Sequence, residues 1–254
     1  MSHKIDLFSS DIQKTKDGNL IHFVNIEVVD ENIQNLINEQ IVSIWNGDAD
    51  TPIEIVKTEI SNFLKTKSDD IIKGAVAEFI IHLYLNVCGF SQECLFKNLE
   101  EGSIKKGFDG YYSYSNEEWI MESKSGSIKT NGISHKKKIK EAYDDLKNKI
   151  DGKGNNNPWS NAYNHAKIAG TSEDILRNIK ILSINYVRNT FPNIKSLNII
   201  PASTIYHDGQ WNIELVKPEH DTILAQLESF DYQKINIICV NKKSIDEVIE
   251  KMTQ

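Results

Sequence analysis

The chain has 254 residues, 39% hydrophobic and 26% charged, with a formal net charge of −7. That is enough apolar material for a full core, and it excludes a disordered, collagen-like or disulfide-scaffold class. Cys88, Cys94 and Cys239 are odd in number and lack CxxC spacing, which points away from a disulfide framework or a thiolate zinc site. The charge is unevenly spread. Residues 1–60 hold 11 acids against 4 lysines, whereas Lys124 to Lys153 hold 9 lysines against Glu141, Asp144, Asp145 and Asp151. The longest apolar runs, near Phe79–Val87 and Ile235–Val240, are shorter than the roughly 20 residues a bilayer requires, and the first residues carry no apolar signal core. The expectation is a soluble, cytoplasmic protein.

In chain order, residues 20–29 (LIHFVNIEVV) predict a strand. Ile33, Leu36, Ile37, Ile41 and Ile44 predict a helix to Trp45 that Asn46-Gly47 ends. Ser68-Asp69-Asp70 caps a long helix that runs to Val87 and stops at Gly89, with acids where the helix dipole favours them. Gly107–Tyr114 and Trp119–Lys124 (WIMESK) predict a hairpin turned at Ser115–Glu118. A basic helix follows from His135 to Ile150, with Ile139, Tyr143, Leu146 and Ile150 at helical spacing. The loop Gly152–Pro158 is rich in Asn and Gly, and is the strongest internal punctuation.

Beyond it the sequence predicts a helix over Pro158–Ala169 and a second, capped at Thr171 or Ser172, to Asn189. A strand at Leu197–Ile200 precedes a hairpin of Thr204–Tyr206 and Trp211–Val216 turned at Asp208-Gly209. A helix at Glu219–Glu228, a strand at Ile235–Val240 and a helix from Ser244 close the chain. The expected fold is α/β, a mixed central sheet flanked by helices. Residues 1–60 form a small acidic α/β region ahead of a main domain at 61–254. That acidic segment either restrains the basic middle or adds its strand and helix to the main sheet.

Three acid-x-Lys triplets occur, at Glu122, Asp145 and Asp151, and only Glu122-Ser-Lys124 lies in a predicted strand. There the two-residue period points Glu122 and Lys124 to one face and Met121 and Ser123 to the other. A turn centred on Asn116 and Glu117 would set Tyr114 opposite Trp119 and Asp109 opposite Lys124, leaving Glu122 as Asp109's diagonal neighbour at about 7–8 Å. Two carboxylates around one position suit Mg²⁺, and a lysine beside it can serve an attacking water. The competing reading is a cross-strand ion pair on a solvated face, of little energetic weight.

The G-F-D-G strand, the WIMESK strand and the preceding Gly74-Ala-Val-Ala-Glu78 resemble the PD-(D/E)xK nuclease superfamily, with Phe108 at the position of the namesake proline. The resemblance implies a restriction-endonuclease-like core and metal ligation by Asp109 and Glu122. It also implies Lys124 serving the water, Glu78 as an auxiliary acid, and Mg²⁺ as cofactor with Mn²⁺ able to substitute. More loosely, the chain is similar to the small nuclease subunit of the bacterial Hachiman anti-phage system, which works beside a helicase. The expected partners are then DNA and a helicase protein, or a second copy of the chain in a homodimer. Lys129, Lys136, Lys137, Lys138 and Lys140 follow the ExK strand closely and are candidate phosphate contacts, with Asn131 and His135 near the mouth of the site. The rival functions are a stand-alone restriction endonuclease and a non-catalytic nucleic-acid- or partner-binding subunit on a nuclease fold.

Overall fold

A computed structural model describes residues 7–47, 50–97, 107–154 and 156–254. Asp6 and Asp48 of the acidic front and Asn155 of the Asn-rich loop lie outside the described residues. The strands are β1 (Ser9–Lys14), β2 (Leu20–Ile26), β3 (Ser91–Gln92), β4 (Gly110–Tyr114), β5 (Glu117–Ser127), β6 (Asn198–Tyr206) and β7 (Lys234–Lys242). They form one sheet in the order β1-β2-β7-β6-β5-β4-β3. Its centre, β2-β7-β6-β5, is parallel, and β1, β4 and β3 pair antiparallel at the margins. The runs that read as continuously apolar, Ile199-Ile200 and Ile235–Val240, are central strands because helices cover both of their faces.

Side-chain alternation divides the core in two. Val24, Met121, Ala202, Ile238 and Val240 face α1 (Glu31–Asn46), α2 (Ile53–Thr66), α3 (Asp69–Val87) and α8 (Ile245–Thr253). Phe23, Ile120, Ile199, Ile237 and Cys239 face α4 (His135–Ile150), α5 (Pro158–Ile168), α6 (Glu173–Val187) and α7 (His220–Leu227). Local chemistry sets the ends of these helices. Asp30, Ser134 and Ser244 accept hydrogen bonds from amides of the first turns of α1, α4 and α8, and Gly47 ends α1 in the left-handed conformation at φ 66°. Ser68 stands at the predicted cap of α3 without a side-chain capping bond.

The mixed α/β fold with flanking helices is the one expected from the sequence. Three local expectations change. The strands β1 and β3 and the helix α2, whose Val56 and Ile60 are buried, join the predicted elements. The hairpin arm expected at Trp211–Val216 does not form. The turn at Asp208-Gly209 is present, with φ of 49° and 84°, but the chain leaves it without a strand. Thr204–Tyr206 instead ends a nine-residue central strand, β6, that runs through Pro201. Pro201 has no amide hydrogen to donate, and the β6–β7 pairing lapses at Ile200 and Pro201 before resuming in the same register at Ala202. The acidic front adds to the sheet: β2 pairs parallel with β7, and α1 residues share the core of α3 and α8. Among the described residues no helix is long and apolar enough to cross a membrane.

His135, expected near the site mouth, is buried at the start of α4. Its ring nitrogens meet Ser203 Oγ at 2.7 Å and Asn241 Oδ1 at 3.1 Å, and His207 Nε2 meets the same Asn241 oxygen at 2.8 Å. Across the sheet His22 Nδ1 contacts the Tyr84 hydroxyl at 2.9 Å. Burial pushes both His22 and His135 from 6.5 down to about 4, against the hydrogen bond to Asn241 Oδ1 in the case of His135. The folded protein keeps these rings neutral while an unfolded chain would protonate them near 6.5. Stability is therefore full above that pH and is lost as the pH falls toward 4, by about 3 kcal/mol per group. Chemical denaturation at a series of pH values should show that fall, and His135→Gln should flatten it. An unchanged slope would mean that His135 does not carry the dependence.

Candidate active site

The site is built where β4 ends beside β5. The observed hairpin turns at Ser115 and Asn116, both at positive φ (51° and 62°), so Tyr114 faces Glu117 and Gly110 faces Met121. This register is displaced by two residues from the expected pairing of Tyr114 with Trp119. A two-residue turn with both central residues left-handed matches the twist of the flanking strands, and it places the turn one residue earlier than the Asn116-Glu117 turn expected. As a consequence Asp109 does not face Lys124. It lies just outside the β4–β5 ladder, where its Oδ2 accepts bonds from Ser123 N at 2.8 Å and Ser123 Oγ at 3.3 Å. The carboxylate thereby satisfies an amide on the side of β5 where β4 has already ended.

Two neighbours fix the backbone at Asp109. Phe108, 1% exposed, packs edge-on against Trp159 of α5 with ring centroids 4.8 Å apart. An anchored aromatic thus occupies the place where the resembled superfamily has proline. On the other side Gly110 admits no side chain, since a Cβ there would lie 2.5 Å from Tyr112 Cε2 and 3.1 Å from Met121 Cε.

The β5 alternation is as expected: Met121 joins the α3 side of the core while Glu122 and Lys124 share the other face. Glu122 is 1% exposed. Lys124 Nζ meets Glu122 Oε1 at 2.9 Å and Asp145 Oδ2 at 2.6 Å, and Lys149 Nζ meets Glu122 Oε2 at 2.5 Å and Asp145 at 3.7 Å. Burial, and next the charge of Asp109, push the Glu122 carboxyl well above the usual carboxylate range, against the pull of Lys149 and Lys124. At Asp145 burial also opposes ionisation. Hydrogen bonds with Glu122 and Lys124 and the charge of Lys149 outweigh it, holding this carboxyl down at about 2. Burial would lower Lys124, but the charges of Glu122 and Asp109 win and raise it above its ordinary value. The ensemble is three acids against two ammonium groups, in which Glu122 gains from any cation that reaches it.

Asp145 and Lys149 escaped the sequence reading because one belonged to a discounted helical triplet and the other to no motif. Their signal is the i,i+4 spacing, which places both on one side of α4.

Glu78 does not join this group. It is buried on α3, which packs on the opposite face of the sheet, with the His82 ring at 3.5 Å; His82 Nδ1 in turn bonds the Tyr112 hydroxyl. The Tyr112 phenol is raised well above its usual value by burial, then by the charges of Glu78, Cys94 and Asp109. Glu78, His82 and Tyr112 thus form a buried polar chain from α3 to β4. Among the described residues no three metal-ligating side chains form a metal-binding group.

The basic run lies elsewhere. Lys136, Lys137 and Lys140 are exposed, Lys138 is half-buried against Glu141 at 2.6 Å, and Lys140 pairs with Asp144 at 2.5 Å. Lys129, beyond the end of β5, sits 3.8 Å from Asp208. Since α4 runs back along the sheet, thirteen residues separate Lys136 from Lys149, about 20 Å along the helix axis. Lys136, Lys137 and Lys138, close to the ExK motif in sequence, are thus at the far end of the helix that delivers Lys149.

No protein-family model matches the chain, and no curated protein matches it. The functional reading rests on the site itself.

Gly110→Ala should cost about 1–3 kcal/mol, the usual penalty for overpacking. The ring it would strike, Tyr112, is fully buried and bonded to His82. Urea denaturation should show a lower midpoint. A wild-type midpoint would mean that this approach is not tight.

Proposed function

We propose that the chain is a Mg²⁺-dependent nuclease that hydrolyses DNA phosphodiester bonds with an activated water, in the cytoplasm and in the setting of defence against foreign DNA. The observation that carries this reading is that Asp109, just before β4, bonds the Ser123 backbone next to Glu122, with Lys124 on the same face as Glu122 and bonded to it. The donor set fits the ion. Mg²⁺ takes oxygen ligands, commonly one or two carboxylates with water completing the shell, and Mn²⁺ accepts similar donors. Asp109 and Glu122 would hold it, and it would supply Lewis-acid charge at a phosphoryl oxygen and a more acidic bound water.

The chain's own groups do the positioning. The Ser123 amide and hydroxyl fix the Asp109 carboxylate. Lys124 is a hydrogen-bond donor aimed by Glu122 and Asp145. It can orient a water and offset charge that develops on the phosphoryl oxygens. Exposed Lys136, Lys137 and Lys140 are spaced to meet phosphates away from the scissile bond, a sequence-independent contribution to binding. In this reading Glu78 acts at a distance, through His82 and Tyr112, rather than beside Asp109.

Glu122→Gln and Lys124→Ala should each reduce Mg²⁺-dependent plasmid cleavage by about 10²–10³-fold, the scale of losing one preorganised electrostatic group, with circular dichroism unchanged. Near-wild-type cleavage by either folded variant would remove these residues from the chemistry. Reversing Lys136, Lys137 and Lys138 to glutamate should weaken binding to all DNA sequences alike and lower the salt slope by up to about 0.9 per lost phosphate contact. A slope that does not move would exclude the run from the interface.

A further inference from the structure

Lys149 is the feature of the site that a two-carboxylate, one-lysine arrangement does not require. It arrives from α4, 27 positions beyond Glu122, and takes the Oε2 oxygen at 2.5 Å while Lys124 takes Oε1 at 2.9 Å. Both oxygens of the most buried acid in the site are therefore engaged by ammonium groups. The two lysines differ in role. Lys124 lies two residues along the same strand and moves with Glu122, whereas Lys149 sits in the last turn of a separate helix.

Lys149 also has a second counter-ion within reach. Asp145, one turn earlier on α4, lies 3.7 Å from its ammonium and is already bonded to Lys124 at 2.6 Å. The Lys149 side chain is 22% exposed, and that of Asp145 is 39% exposed. A short swing onto Asp145 would thus keep the ammonium paired and open Glu122 Oε2 toward solvent. Lys124 stays on Oε1, but a buried carboxylate that loses one of its two cations is destabilised, so a departure of Lys149 favours the arrival of another cation at Oε2.

We propose that Lys149 is a resident cation of the site, holding Glu122 Oε2 when no metal is bound and moving to Asp145 when a divalent ion takes that oxygen. The inference rests on the reading of Glu122 as a metal ligand. It makes Lys149 a positioning residue that sets how readily the site loads, with Asp145 as the carboxylate that receives it. A lysine competing for the same oxygen weakens metal binding in two ways, by occupying the ligand and by repelling the ion.

Calorimetric titration of the full chain with Mg²⁺ alone, without DNA, tests this. Lys149→Met should bind Mg²⁺ about tenfold more tightly than wild type, Lys149→Arg should stay near wild type because the competing charge is kept, and Asp145→Asn should bind about threefold more weakly. Glu122→Gln should lose the titration. If wild type binds through Glu122 and folded Lys149→Met binds no tighter, the inference fails while the metal reading stands. If Lys149→Arg matches Lys149→Met, charge competition is refuted. If wild type and Glu122→Gln titrate alike, the metal reading fails and takes the inference with it. Should Lys149→Met not fold, Lys149→Gln provides the same comparison. Metal binding without plasmid cleavage would leave the inference standing and refute only the nuclease.

Discussion

The arrangement depends on a carboxylate held almost wholly out of water. Glu122 lies in β5 between β4 and β6, under α4, with 1% of its surface exposed. An ionised carboxyl in such a place is unfavourable by several kcal/mol unless it is compensated. Everything around it compensates: Lys124 at one oxygen, Lys149 at the other, and Asp145 bridging the two lysines so that neither ammonium lacks a second partner. Asp109 acts in the opposite direction, adding a negative charge that raises the demand for a cation. A site with more acids than ammonium groups around a buried carboxylate, and partly open at Asp145 and its lysines, is suited to receive a positive ion.

That arrangement is delivered by packing on both faces of the sheet. Ile139, Tyr143, Leu146 and Ile150 seat α4 in the core, which fixes the azimuth of the helix and with it Asp145 and Lys149. Phe108 against Trp159 ties the backbone before Asp109 to α5, and Gly110 against Tyr112 ties the backbone after it to the α3 side. The acid is therefore clamped by contacts to opposite layers, with the Ser123 amide completing its placement. Apolar burial supplies the rigidity, and the few polar bonds supply the aim.

Much of this was legible in the residues. The alternation in WIMESK correctly separated Glu122 and Lys124 from Met121, and Ser244 and Gly47 marked helix ends as capping chemistry requires. What failed was the two-residue position of a turn. Ser115 and Asn116 both adopt left-handed backbone, unusual for a serine, and the sequence offers no glycine there to reveal it. A shift of two preserves which side chains share a face, so the site survived the error although the partner of Asp109 changed. Lys149 was hidden for a different reason: its neighbour Glu122 is near only after α4 has turned back along the sheet. Pro201 in a run that becomes a central strand disguised the length of β6, because proline ordinarily argues against such a position.

The strand order has a consequence in time. β7 follows the other six described strands in the chain, yet it lies between β2 and β6 and joins them through two parallel ladders. A ribosome therefore releases Asp109, Glu122, Lys124 and Lys149 well before the strand that closes the middle of the sheet. Until then the strand pairs β1-β2 and β5-β6 belong to separate fragments, each with an open edge. The acidic and basic groups of the site are assembled on a complete support only as synthesis passes Lys242, so an interrupted chain has the residues of the site without the frame that makes them a site.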